Sequence, residues 1–131
     1  MKIIYLAHSV TNGGQNLQKI HTLISWLKDE KFVVIQPTSN LVPNSLAADS
    51  LQSIEKSDCV IADITTYSHG VGFELGYAYA LKKSIVVICD VYAKNKVSKF
   101  LLGLFPSMIF YNDQADLERK IFSQLRSVTA Q

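Results

Sequence analysis

Apolar and polar positions fall into two alternating rhythms along this chain. Runs rich in β-branched and apolar residues read as strands: KIIYLA (Lys2–Ala7), FVVIQP (Phe32–Pro37, stopped by its proline), DCVIADI (Asp58–Ile64), SIVVIC (Ser84–Cys89) and SMIFY (Ser107–Tyr111). Between them the apolar period lengthens to that of a helix. Leu17, Ile20, Leu23, Ile24 and Leu27 share one face between Leu17 and Lys28, and Leu46, Leu51 and Ile54 lie on or near one face between Ser45 and Lys56. Further helices are predicted over Gly70–Lys82, Asn95–Leu102 and Asp113–Ser127. In the last, Asp113 can cap, and Asp116 and Glu118 sit in early turns where the helix dipole favours acids.

The order βαβαβαβαβα predicts an α/β fold. It is a single three-layer doubly wound domain over residues 1–131, with a five-stranded parallel sheet of flavodoxin-like order. Ligands of such sheets bind beyond the carboxyl ends of the strands, at the switch point. The loops His8–Asn16 and Ile64–Gly70 meet that description. With 131 residues, 48% of them apolar and 18% charged, the chain is long enough to bury its own core. A net charge of +2, with no basic run longer than Lys-Lys, argues against nucleic acid held through its backbone. No apolar run approaches the roughly 20 residues that span a bilayer. The opening MKIIYLAHS is too short for a signal peptide and reads as the first strand. Cys59 and Cys89 lie within strand-like runs, as expected of reduced core thiols in a cytoplasmic protein.

The first loop holds Ser9, Thr11, Asn12, Gly13 and Gly14 and leads into a helix, where free N–H groups suit an anion. It is neither a P-loop nor a dinucleotide fingerprint, and a plain tight turn fits equally well. The second loop brings Ser68, Gly70 and Gly72 to a helix start, with Glu74 within the first turn or so. Glu74 stands among Val71, Phe73, Leu75, Ala78 and Ala80, although carboxylates are seldom buried unless paired or used. The nearby helix N-terminus predicts that it stays ionised. Spacing leaves two readings open: a reactive carboxylate that attacks or stabilises a cation, or a side chain that points to water. His8, His21 and His69 lack metal-ligand spacing, and a loop position in solvent suits His69. Tyr67, Phe73 and Tyr77 either stack on a ligand or pack, and Asp63 either contacts a ligand or braces its loop.

DITTYSHGVGFELGYAYA (Asp63–Ala80) resembles the signature of the nucleoside 2-deoxyribosyltransferase superfamily. IYLAHSVTNGGQ resembles the same family's first strand and loop, and KVSKFLLG its segment that reaches a neighbouring subunit. The nearest branch is the 2'-deoxynucleoside 5'-phosphate N-hydrolases. By position, the resemblance makes Glu74 the catalytic glutamate and Tyr5 the tyrosine that orients it. Ser9, Gly13, Gly14, Ser68 and Gly70 fall in the substrate site, chiefly around the 5'-phosphate. Ser98 becomes a serine donated across a homodimer interface. Two positions depart from the pattern. Asn12 and Gln15 stand where the hydrolases carry an arginine, which removes a fixed positive charge. The family's catalytic aspartate falls on Ser50 when aligned without a gap, and Asp49, about 100° of helix rotation away, is the nearest acid.

The resemblance implies hydrolysis of a deoxynucleoside 5'-monophosphate to base and deoxyribose 5-phosphate. Glu74 is the nucleophile, Tyr5 its orienter and Asp49 the acid, with no metal or organic cofactor. Base exchange by a deoxyribosyltransferase is the same-fold alternative. A nucleotide-binding module without turnover, favoured by the serine at position 50, is the alternative from another class.

Overall fold

The computed structural model describes residues 2–9, 15–37 and 42–129. Five strands, β1 (Ile3–Ala7), β2 (Val33–Ile35), β3 (Cys59–Asp63), β4 (Ser84–Asp90) and β5 (Ile109–Tyr111), form one sheet in the order β2-β1-β3-β4-β5. Every pairing is parallel, with Tyr5 opposite Ile35 on one side and Val60 on the other. The helices are α1 (Gln15–Asp29), α2 (Pro43–Lys56), α3 (His69–Ala80), α4 (Lys99–Leu104) and α5 (Gln114–Thr129). The expected α/β sandwich is therefore present, with its switch point between β1 and β3.

Strand alternation divides the interior. On β1, Ile4 and Leu6 face α1 and α5, where they pack with Ile20, Leu27 and Ile121. Tyr5 and Ala7 face the opposite side and join Ile54 of α2 with Val71, Leu75 and Ala78 of α3. That second layer holds the candidate chemistry. Cys59 and Cys89 are buried and unbridged, and burial pushes their thiols up to about 12 and about 11, which keeps them protonated. Among the described residues, no helix is long and apolar enough to cross a membrane.

Two elements differ from the sequence reading. The helix expected over Asn95–Leu102 is instead a 3₁₀ segment, Val91–Lys96, followed by α4. Val97 is extended, and the Ser98 hydroxyl accepts from the Phe100 and Leu101 N–H groups, so the chain caps a new helix there. In α2 the buried residues are Ser50, Ser53 and Ile54, whereas Leu46 and Leu51 are only partly covered. These two leucines turn to a cavity instead of the core. At α5, Asp113 caps as expected, accepting from the Asp116 N–H at 2.8 Å.

Helices α1 and α3 both end in a left-handed residue that is not glycine, Lys31 at φ 73° and Lys82 at φ 60°. After Lys82 the chain closes back, with the Lys83 N–H donating to the Ala78 carbonyl at 3.1 Å. A Cβ is costly in this region, so Lys82→Gly stabilises the fold by about 0.5 kcal/mol after glycine's greater freedom in the unfolded chain is set against the gain. Thermal unfolding checks this: the variant melts roughly 2 °C higher. A lower melting temperature refutes it.

Candidate active site

The carboxyl end of β1, the turn after β3 and the start of α3 converge at the switch point. Asp63 braces the turn by accepting from the Thr65 N–H at 2.9 Å, and the Thr65 hydroxyl in turn accepts from the Asp90 N–H at 2.9 Å. That chain of contacts ties the ends of β3 and β4 together below the ligand edge. Ser68 then caps α3, its hydroxyl accepting from the Val71 N–H at 3.2 Å. The cap sets the rotation of the helix and turns Glu74 inward to 8% exposure.

There the Tyr5 hydroxyl, fully buried, donates to the Glu74 carboxylate at 2.5 Å. Burial, then the charge of Glu74, holds the Tyr5 phenol well above its usual range, so it stays protonated and donates. Burial also raises the Glu74 pKa, opposed in turn by hydrogen bonds from Tyr5 and Ser50 and by the charge of His8. The helix start is not what governs the charge of Glu74. Glu74 lies beyond the first turn of α3, where the dipole has faded, and desolvation governs the direction of its shift.

Glu74 forms part of the wall of a cavity of about 540 Å³, within the range of small-molecule sites. Its polar side chains are His8, Ser50, Ser68 and Glu74, while Pro37, Pro43, Leu46, Leu51 and Phe73 are among the apolar residues around them. Gly70 also lines it, and a Cβ there would sit 3.8 Å from the Ser68 hydroxyl oxygen. This combination suits a flat apolar group lying against a carboxylate, with few hydrogen-bond partners to fix its orientation.

Of the residues read from sequence, Tyr5, Glu74, Ser68 and Gly70 are brought together. Ser9 lies in the same corner, 5% exposed, and its hydroxyl is the one buried side-chain oxygen or nitrogen without a hydrogen-bond partner among the described residues. Gly13 and Gly14 lie outside the described residues. Asp49 does not line the cavity; Ser50 does, and the charge of Asp49 is felt only weakly at Tyr5. Ser98 lies outside this cavity too. It borders a smaller depression of about 140 Å³ shared with Ser68 and Lys96.

Of the three aromatic candidates only Phe73 reaches the main cavity. Tyr67 donates to the Lys96 carbonyl, and the Tyr77 hydroxyl bonds the Glu55 carboxylate. In the sequence His8 matches no metal spacing and carries no other motif. Its place directly after β1, where the first loop begins on the ligand edge of the sheet, is the available signal.

The profile of the family described as nucleoside 2-deoxyribosyltransferase matches residues 4–104. A protein of Methanococcoides burtonii named "Putative 2'-deoxynucleoside 5'-phosphate N-hydrolase 1" is 30% identical, over 76% of this chain and 88% of its own length. The 5-hydroxymethyl-dUMP N-hydrolase of Danio rerio is 25% identical over 82% of each. A solved structure of a Clostridium botulinum CMP N-glycosidase superposes with a TM-score of 0.74 at 22% identity, covering 92% of this chain and 98% of that one, a likeness of fold.

Proposed function

Because this chain belongs to the nucleoside 2-deoxyribosyltransferase family, we propose that it hydrolyses the N-glycosidic bond of a 2'-deoxynucleoside 5'-monophosphate, releasing base and deoxyribose 5-phosphate. The observation that carries the reading is Glu74 in the wall of an apolar cavity at the switch point, held from behind by the buried Tyr5 hydroxyl. The Glu74 carboxylate attacks the anomeric carbon as the bond to the base breaks, and the transition state has oxocarbenium character. Tyr5 holds one carboxylate oxygen and so aims the other. The base lies among Leu46, Leu51 and Phe73.

Ser9 and Ser68 hold the 5'-phosphate, and Gly13 and Gly14, which lie outside the described residues, are assigned to the same group by their place in the family motif. The unpartnered Ser9 hydroxyl supports this placement. Ser98 completes the phosphate site of a second copy, so the working form is a homodimer. Exposed Tyr67, Phe73 and Phe100, on segments that border the two depressions, support such an interface. The cytoplasm, where Cys59 and Cys89 stay reduced, is the compartment this reading favours.

Transfer of the deoxyribose to a second base is the other reading. It is favoured by Asn12 and Gln15 in place of an arginine, since a free 5'-hydroxyl needs no cation. Incubation with ribo- and deoxynucleoside monophosphates and with deoxynucleosides, each with and without a second free base, separates the two. Chromatography should show free base from a deoxynucleoside monophosphate and no new nucleoside. A new nucleoside from the added base establishes transfer, and no base from any substrate sinks both.

A further inference from the structure

Departure of a base needs a proton, because a nucleobase anion is a poor leaving group. Of the polar side chains that line the cavity, Ser50 and Ser68 are not acids at neutral pH, and Glu74 is engaged as the nucleophile. His8 remains. It is 5% exposed, it lines the same cavity, and its charge acts on Glu74. Its Nδ1 lies 3.0 Å from the Ser9 carbonyl oxygen, and its Nε2 lies 3.2 Å from Oε1 of Gln36. Both partners accept, so the doubly protonated ring is the form that satisfies both at once.

We propose that His8 is the proton donor to the departing base, a catalytic role that rests on the glycosidic-bond reading above. The backbone carbonyl of Ser9 fixes the Nδ1 proton, which leaves the Nε2 proton to be transferred. As Glu74 bonds to the anomeric carbon, the electron pair of the breaking bond goes to the base nitrogen, and the base takes the Nε2 proton. Rotation of the Gln36 amide then presents its NH₂ to the bare Nε2. In the second half, His8 takes a proton from the water that attacks the anomeric carbon, and the glutamyl ester breaks. The imidazolium and the Glu74 carboxylate are restored, and the balance is one water consumed for one base released. Among the described residues, Glu74 from α3 interacts with the ring through charge and is itself bonded by Tyr5 from β1, while Ser9 and Gln36 bond the ring without charge.

The test compares wild type, His8→Gln and His8→Ala on two substrates. One is a deoxynucleoside monophosphate. The other is 4-nitrophenyl 2-deoxyribofuranoside 5-phosphate, whose nitrophenolate leaves without a proton. In a single turnover, which is read before water attacks, base release by the variants should fall roughly 10²- to 10³-fold, and nitrophenolate release by less than about tenfold. Nitrophenolate release also reports an intact site, so misfolding cannot pass for loss of the acid. Equal losses on both substrates, or no loss on either, overturn the role of His8. If wild type releases base from no deoxynucleotide or deoxynucleoside, the glycosidic-bond reading itself falls.

Discussion

Glu74→Gln is expected to release base at least about 10⁴-fold more slowly than wild type, yet to melt a few degrees higher at neutral pH. In the proposed mechanism the loss of rate follows from removing the atom that bonds to the anomeric carbon. The gain in stability follows from burial, which is the largest influence on Glu74 and raises its pKa. A carboxyl group with a raised pKa binds its proton more tightly in the folded than in the unfolded state. The stability it contributes is fully present below its unfolded pKa, about 4.3, and is lost as pH rises through the folded value. At neutral pH wild type therefore bears the cost of a buried charge. Glutamine avoids that cost while its amide oxygen still accepts from Tyr5. The melting difference should close as the pH is lowered to about 4. A glutamine variant less stable than wild type at neutral pH would mean that Tyr5, Ser50 and His8 more than repay the burial.

Tyr5→Phe should lower kcat about 10²-fold with little change in KM, because the hydroxyl aims Glu74 at the reacting carbon. It should also move the acidic limb of the kcat/KM profile. The Tyr5 hydrogen bond is the first of the influences holding the Glu74 pKa down, and without it burial is less opposed. Glu74 then keeps its proton to higher pH, and the limb shifts upward. A lower rate with an unmoved limb would assign Tyr5 to packing alone.

Strand order and layer assignment were legible because β-branched runs and helical periods alternate so regularly, and Glu74 was conspicuous as a lone carboxylate in an apolar stretch. What the sequence could not show were relations across elements. Ser50 and Asp49 are neighbours in the chain, but helix rotation sends one into the cavity and leaves the other outside it. Leu46 and Leu51 carry the signature of a core-facing stripe because the wall of an apolar cavity has the same periodicity as a core. The sequence places Glu74 near the first turn, whereas the cap at Ser68 puts it further along the helix, where burial outweighs the dipole. His8 acquires meaning only from Glu74, Ser9 and Gln36, and two of these lie on other elements.

Helix α2 is an unequal partner in this fold. Ile54 is its only buried large apolar side chain; Ser50 and Ser53 supply the rest of its buried face, while Leu46, Ala47 and Leu51 border the cavity proposed to take the base. Residues that select the ligand are thus largely separate from residues that hold the molecule together. Substitutions along that border are cheap for folding, which depends on the sheet and on the opposite layer. A lineage can therefore change which base it accepts through single steps on one helix without first acquiring spare stability, so substrate preference should drift faster than the fold that carries it.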